Sequence, residues 1–256
     1  MQLDLDLVDR RLRTAFVGRR LIYLTSTPST QDVARREADE GAVEGTAVIA
    51  EEQTAGRGRL GRSWVSPAGR NIYVTIVLRP DLARLRILGM AAPLAVARAV
   101  ESAAGLSALL KWPNDVLVSG RKLSGVLIDS EMYGGDARYA LVGIGVNVNF
   151  DIEEESEIAS IATSIKREAG HPVSREDVLA AVLNEFEELY LSTSPSDVRD
   201  AWKGRLDTLG REVRVTFRGA VHEGLAEDVD ADGSLVLRLA DGSKLAIEAG
   251  EVTLRG

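Results

Sequence analysis

A chain of 256 residues has room for one large domain, or for one domain with a small appendage. Its net charge of −8 opposes general binding to nucleic acid or to an anionic membrane, since both rely on excess positive charge. No cysteine is present, which excludes disulfides, thiolate metal sites and cysteine nucleophiles and suits a reducing compartment. Met1–Arg10 is acidic and lacks the apolar core of a signal peptide, and no apolar run reads as long enough to span a bilayer, so the expected location is cytoplasmic.

Leu3, Leu7, Leu12 and Phe16 recur at near-helical spacing and predict a helix over residues 3–17. Leu21–Leu24 reads as a strand, followed by the polar loop Thr25–Thr30. Ser29 or Thr30 is placed to cap the next helix, which Gly41 ends. Strands are expected at Thr46–Ala50 and Asn71–Leu78, with a glycine- and arginine-rich segment between them. An Ala/Leu-rich helix over 84–104 precedes short β-rich pieces at 107–111, 115–118, 122–131 and 138–149. Glu153–Glu157 reads as a solvated loop before two or three helices within 157–206, where Ser174 and Asp177 form a capping pattern ahead of Val178–Leu183.

Composition changes near Thr208–Gly210, which divides the chain into residues 1–208 and 209–256. In the second part strand-like runs at Glu212–Phe217, Val221–Val229, Ser234–Ala240 and Lys244–Glu248 alternate with turns, among them Asp232-Gly233 and Asp241-Gly242. This pattern predicts a small separate β-barrel of SH3-like size.

The segment Gln53–Trp64 carries the most chemistry. It interleaves Arg57, Arg59 and Arg62 with Gly56, Gly58 and Gly61. Arginine offers a rigid fork of donors that suits phosphate and carboxylate oxygens, and glycine lets the backbone wrap closely around them. Residues 56–61 match G-x-G-x-x-G, and 56–63 fall one residue short of a Walker A loop. Both motifs need a helix starting at the last glycine, but Pro67 and Gly69 follow and oppose one. The expected structure is a flexible lid rather than a phosphate cradle. Taken alone, such a loop is as often a solvated basic turn. Without a bound anion its guanidinium groups should repel one another and leave it mobile.

Three more blocks follow. In Lys111–Asp115, Pro113 turns the chain so that Asn114 and Asp115 project at a strand end, as hard oxygen donors for magnesium or as a plain Asx turn. In Gly120–Leu127, Lys122 opens an apolar strand, either as an edge charge or as an ammonium placed where two anions meet. Gly143–Asn149 alternates small and β-branched residues, so one strand face is nearly bare, open to a ligand or another backbone, with Asn147 expected on it.

These blocks, in this order, resemble the biotin protein ligase family: Ser29–Gln31, Gln53–Trp64, Lys111–Asp115, Gly120–Gly125 and Gly143–Asn149. The resemblance implies an α+β fold, a class II synthetase-like mixed sheet with flanking helices, followed by an SH3-like β-barrel. It implies that biotin's carboxylate attacks the α-phosphate of ATP to give biotinyl-5′-AMP, and that a lysine of a biotin carboxyl carrier domain then takes the biotinyl group. No acyl-enzyme forms, which agrees with the lack of cysteine and with His171 and His222 lying outside every block.

By the same resemblance, Ser29, Thr30, Gln31 and Gln53 bind biotin together with the backbone of Arg57, Gly58 and Arg59. Lys122 lies between biotin's carboxylate and the α-phosphate. Arg57, Arg59 and Arg62 gather phosphates, Trp64 stacks on adenine, Asn114 and Asn147 orient phosphate and ribose, and Asp115 helps hold Mg2+. Lys122 and Arg59 carry the catalytic roles. The family usually has Asn where this chain has Gln31. About twenty residues precede the first strand, too few for the DNA-binding domain of some members, so no DNA partner is expected. The sequence leaves monomer or homodimer undecided. Two rival readings remain: a lipoate or octanoate ligase of the same fold, against which the polar Ser29–Gln31 and Gln53 cluster argues, and a non-enzymatic sensor of biotin or a nucleotide.

Overall fold

The computed structural model describes residues 2–152, 158–191, 193–248 and 250–254; the predicted Glu153–Glu157 loop lies outside them. A seven-stranded sheet is built from β1 (Leu21–Leu24), β2 (Ala47–Ala50), β3 (Ile72–Leu78), β4 (Leu109–Lys111), β5 (Asp115–Val118), β6 (Arg121–Tyr133) and β7 (Asp136–Val146), in the order β1-β2-β3-β7-β6-β5-β4. Strands β1 and β2 run parallel and every other pair is antiparallel, so the sheet is mixed. Every residue of β3 is buried, as its run IYVTIVL, apolar but for Thr75, requires of a strand covered on both faces.

Six helices accompany it among the described residues: α1 (Leu5–Arg11), α2 (Thr30–Asp39), α3 (Leu82–Ala104), α4 (Ile165–Ala169), α5 (Arg175–Leu191) and α6 (Pro195–Lys203). On one face α3 and α5 pack with Ile72, Val74 and Ile76 into the main core. On the other, Val33, Ala34 and Ala38 of α2 cover Val48, Val77 and Leu141. Helix α3 corrects one expectation. At 23 residues it is long and apolar enough to cross a membrane by length and composition, but 67% of the relevant stretch is buried inside the fold, as in a core helix.

The first helix also differs from its prediction over 3–17, ending at Arg11 with Leu12 already extended. The cause is distant in sequence. The carboxylate of Glu187, on α5, accepts the backbone N–H groups of Ala15 (2.5 Å), Phe16 (3.0 Å) and Val17 (2.8 Å), which a continuing helix would have used itself.

A second, five-stranded antiparallel sheet holds β8 (Glu212–Phe217), β9 (Ala220–Val229), β10 (Leu235–Arg238), β11 (Lys244–Ile247) and β12 (Glu251–Leu254), in the order β11-β10-β9-β8-β12. The last strand was not foreseen. The turn at Asp232-Gly233 is held by the Asp230 carboxylate, which accepts from the N–H of Asp232 and of Ser234. This sheet is docked on the first: Trp112 Nε1 donates to the Gly233 carbonyl at 2.9 Å.

One buried ion pair fixes the centre. Arg175 at the start of α5 lies 2.8 Å from Glu51, which directly follows β2, with side-chain exposures of 6% and 5%. Tyr23 Oη and the Leu3 N–H also donate to that carboxylate, each at 2.7 Å. Burial alone would raise the Glu51 pKa, but the bonds from Arg175, Leu3 and Tyr23 hold it below its ordinary value of 4.5. Replacing Glu51 with Gln should destabilise the fold by about 3–5 kcal/mol, because the arginine stays buried without its counter-ion. A carboxyl with a depressed folded-state pKa stabilises fully above its unfolded pKa and loses that contribution as pH falls through the folded one. The melting-temperature gap between parent and E51Q should therefore be wide at pH 7 and shrink below about pH 4.5, the ordinary value of that carboxyl; a gap unchanged with pH would count against the pair.

Candidate functional site

The cleft lies over β6 and β7, between the N-terminus of α2, the arginine segment and the second sheet. Its neutral polar end is organised by α2. Ser29 caps that helix, its Oγ accepting from the Gln31 N–H at 3.3 Å. The Thr30 backbone N–H and hydroxyl both donate to Gln53 Oε1, at 2.9 and 3.1 Å, while Thr75 donates to the Thr30 hydroxyl at 2.8 Å. Gln53 Nε2 donates in turn to Ser66 Oγ at 3.2 Å. Gln31 gives one hydrogen bond to the Leu127 carbonyl at 3.4 Å, but its Oε1 is buried with no partner. A buried acceptor without a partner calls for a reason, and this one belongs to a residue that lines the cleft.

The other end is cationic. Arg59–Gly61 forms a single 3-10 turn with Leu60 at φ 56° and Gly61 at φ 75°, and no α-helix begins there. The segment folds on itself as a small hairpin: Arg57 and Ser63 form a bridge, and the Gly58 N–H donates to the Arg62 carbonyl at 2.7 Å. Arg57 pairs with Asp32 at 2.6 Å, and Arg62 pairs with Glu251 of β12. Arg59 donates to Asn114 Oδ1 at 3.2 Å. Burial pushes the Arg59 pKa down and the nearby Asp115 charge opposes that. Lys122 Nζ sits 2.6 Å from Asp115 Oδ1 and 5.4 Å from the centre of the Trp64 ring.

Internal partners correct the expectation of a loop of mutually repelling guanidinium groups, since Asp32 and Glu251 already neutralise two of them. Neither carboxylate was foreseen. Asp32 follows the Ser29–Gln31 block directly and was a legible signal, whereas Glu251 lies on the unforeseen fifth strand. The bare strand face is also filled from within: the Gln31 amide lies over Gly143 and the Trp64 indole over Gly145.

Ser29, Thr30, Gln31, Gln53, Arg57, Gly58, Arg59, Arg62, Trp64, Asn114, Asp115 and Lys122 all line the cleft. Asn147 does not. It follows the end of β7 and is 4% exposed, with Nδ2 donating to the Thr163 carbonyl at 3.0 Å and Oδ1 accepting from Asn71 at 3.3 Å. Its amide is consumed in tying the strand end to the segment before α4. Asn147→Ala should therefore cost about 1–3 kcal/mol of stability, the penalty for unpairing buried partners. KM for any nucleotide should change less than about twofold, against roughly fivefold or more for loss of a direct hydrogen bond. Equilibrium unfolding beside initial-rate kinetics separates the two.

Comparison with known proteins gives this arrangement its context. Residues 23–147 match the biotin/lipoate A/B protein ligase family, and residues 208–255 match the biotin protein ligase C terminal domain. The biotin--[acetyl-CoA-carboxylase] ligase of Paracoccus denitrificans is 38% identical over 218 residues, 82% of this chain and 90% of that protein. The bifunctional ligase/repressor BirA of Bacillus spizizenii is 34% identical over 239 residues, 91% of this chain and 74% of that protein. The solved structure of the Aquifex aeolicus biotin protein ligase in complex with biotin and ATP superposes with a TM-score of 0.77 at 32% identity, covering 93% of this chain and 99% of that one. The chain belongs to the biotin protein ligase family of enzymes, and its two sheets are the mixed ligase sheet and the SH3-like C-terminal sheet of that family.

Proposed function

We propose that this chain joins biotin to ATP, forming biotinyl-5′-AMP and pyrophosphate, and then passes the biotinyl group to a lysine of a biotin carboxyl carrier domain in the cytoplasm. The observation that carries this reading is that Lys122 shares one cleft with Gln31, with the hydrogen-bonded Thr30 and Gln53, and with Arg59. The ureido end of biotin needs a matched set of donors and acceptors, and Gln31 Oε1, buried and unpaired against Gly143, would accept one of its N–H groups once the amide turns toward the cleft. A lipoyl or octanoyl tail has no polar group to satisfy that acceptor, which favours biotin.

In the first step a carboxylate oxygen of biotin forms a bond to the α-phosphorus while the bond to the pyrophosphate oxygen breaks. Two anions must approach each other, and Lys122 offsets their repulsion once a phosphate oxygen displaces Asp115 from its ammonium. Arg57 and Arg62 exchange their carboxylates for phosphate oxygens, and Trp64 stacks on adenine, worth roughly 1–3 kcal/mol on the base–aromatic scale. Among the described residues no cluster of three or more His, Cys, Asp or Glu side chains is placed to cage a metal. Magnesium would arrive on the triphosphate as part of the substrate, with Asp115, which lines the cleft beside Lys122, as a carboxylate to help hold it. In the second step the carrier lysine attacks the acyl carbon, AMP leaves with the bonding electrons, and the amine gives up its proton. Residues 1–208 supply the catalytic groups and residues 209–256 supply one wall.

Incubating the protein with biotin, MgATP and a carrier domain, then weighing the carrier, tests the reading directly: a mass gain of one biotinyl group supports it. Lipoate driving ATP–pyrophosphate exchange where biotin does not would defeat it. Lys122→Ala should slow adenylate formation about 10²–10³-fold, the usual effect of removing one well-placed donor to developing phosphate charge. Formation at the parent rate would remove Lys122 from the mechanism.

Arg59→Gly removes a donor and adds backbone freedom beside Leu60 and Gly61, which already have positive φ. The reactive anhydride should escape more readily, with its formation largely retained. Streptavidin blotting of a bystander protein should show stray labelling by the variant and little by the parent; equal, negligible labelling with adenylate still made would assign retention elsewhere.

A further inference from the structure

The floor of the cleft lacks side chains at two facing positions. In the antiparallel register of β6 and β7, Gly125 stands directly opposite Gly145. Neither has a positive φ, so the backbone conformation does not call for glycine at either place. Glycine within a strand weakens it, so its presence at both positions needs a reason of space. That reason is Trp64. A Cβ added to Gly145 would stand 2.6 Å from Cε2 and Nε1 of the indole, closer than real carbon contacts allow. A Cβ added to Gly125 would stand 3.2 Å from Cζ3 of the same ring and 3.2 Å from Lys122 Cε.

Hydrogen bonding does not hold the ring there. Trp64 Nε1 is buried without a partner, so packing rather than an indole hydrogen bond places the ring on the sheet. The rigid bicycle cannot bend away as a flexible side chain would. Lys122 meets the ring beside Gly125, its ammonium 5.4 Å from the ring centre and 3.3 Å from the Gly125 Cβ position. The ring quadrupole attracts the ammonium and the Asp115 carboxylate holds it 2.6 Å away, so the ring is one of two contacts that fix its height.

We propose that Gly125 and Gly145 are positioning residues of this active site: the opposed pair forms a seat for the Trp64 indole, and the seated indole helps to set the height of the Lys122 ammonium above the sheet. The inference rests on the ligase reading above. It assigns to two residues without side chains a share in aligning the adenine platform and the catalytic cation.

A double-mutant cycle tests it, with biotin-dependent ATP–pyrophosphate exchange measured for the parent, G145A, W64F and W64F/G145A. Phenylalanine lacks the fused edge that lies against Gly145, so it leaves room for a methyl group. G145A should lower kcat/KM for MgATP about tenfold or more when Trp64 is intact, and about twofold or less in the W64F background. The near-ultraviolet dichroism of G145A should also shift as the indole loses its fixed setting. A penalty of equal size in both backgrounds would mean that Ala merely disturbs the strand, and would overturn the proposal. Parent-like kinetics for G145A would overturn it as well. If G145A fails to fold, G125A, with its shallower overlap, supports the same cycle. A parent chain without biotin-dependent exchange would defeat the ligase reading itself, an outcome distinct from an active parent with an additive cycle.

Discussion

The arginine segment hangs from the Glu51–Arg175 pair. Glu51 closes β2, and two residues later Gln53 enters the cleft. Its carboxylate gathers the Leu3 N–H, the Tyr23 hydroxyl and Arg175, while Arg175 also donates to the Asn71 carbonyl at the head of β3. The N-terminal segment, β1, β2, β3 and α5 thus meet at one buried charge pair. Desolvating two charges is costly and is offset only when the charges are closely paired and further hydrogen bonds surround them, as they do here. The geometry of Gln53, and through it of Thr30, is set by a contact that touches no ligand.

At the cleft itself the electrostatics run the other way. Arg57 and Arg62 are paired with about half-exposed carboxylates, in high effective dielectric, while the Lys122–Asp115 pair is more buried. The two exposed pairs contribute about 0–1 kcal/mol each, so a polyphosphate can take Arg57 and Arg62 over at small cost. The cleft holds a set of internal ion pairs where ligand contacts would form. An acidic protein can keep a concentrated cationic cleft in this way without drawing in every passing polyanion.

Much of this was legible in the sequence because it is local. Ser29 as a helix cap, the strands from β1 to β7, and the absence of a helix after Gly61 all follow from short-range propensity and from Pro67 and Gly69. What was not legible depends on contacts between distant residues. The early end of α1 is dictated by Glu187, more than 170 positions away. Asn147 shares its strand parity with Gly143 and Gly145, but the chain leaves the sheet at Val146 and Thr163 captures its amide. The bare face of β7 was visible as a pattern; that Trp64 and Gln31 would occupy it was not. The residues predicted to gather around the cleft came mostly from the family resemblance, since each block alone had an ordinary explanation.

The Arg62–Glu251 contact also imposes an order in time. Arg57 meets a counter-ion translated before it, since Asp32 precedes the arginine segment, whereas Arg62 must wait for a residue almost two hundred positions downstream. At ribosomal rates that interval is roughly ten to forty seconds. Throughout it a nascent chain carries the cationic half of the cleft without β12, one side of the wall still unmade. A cleft closed by a late-arriving strand cannot complete its binding surface until β12 has left the ribosome.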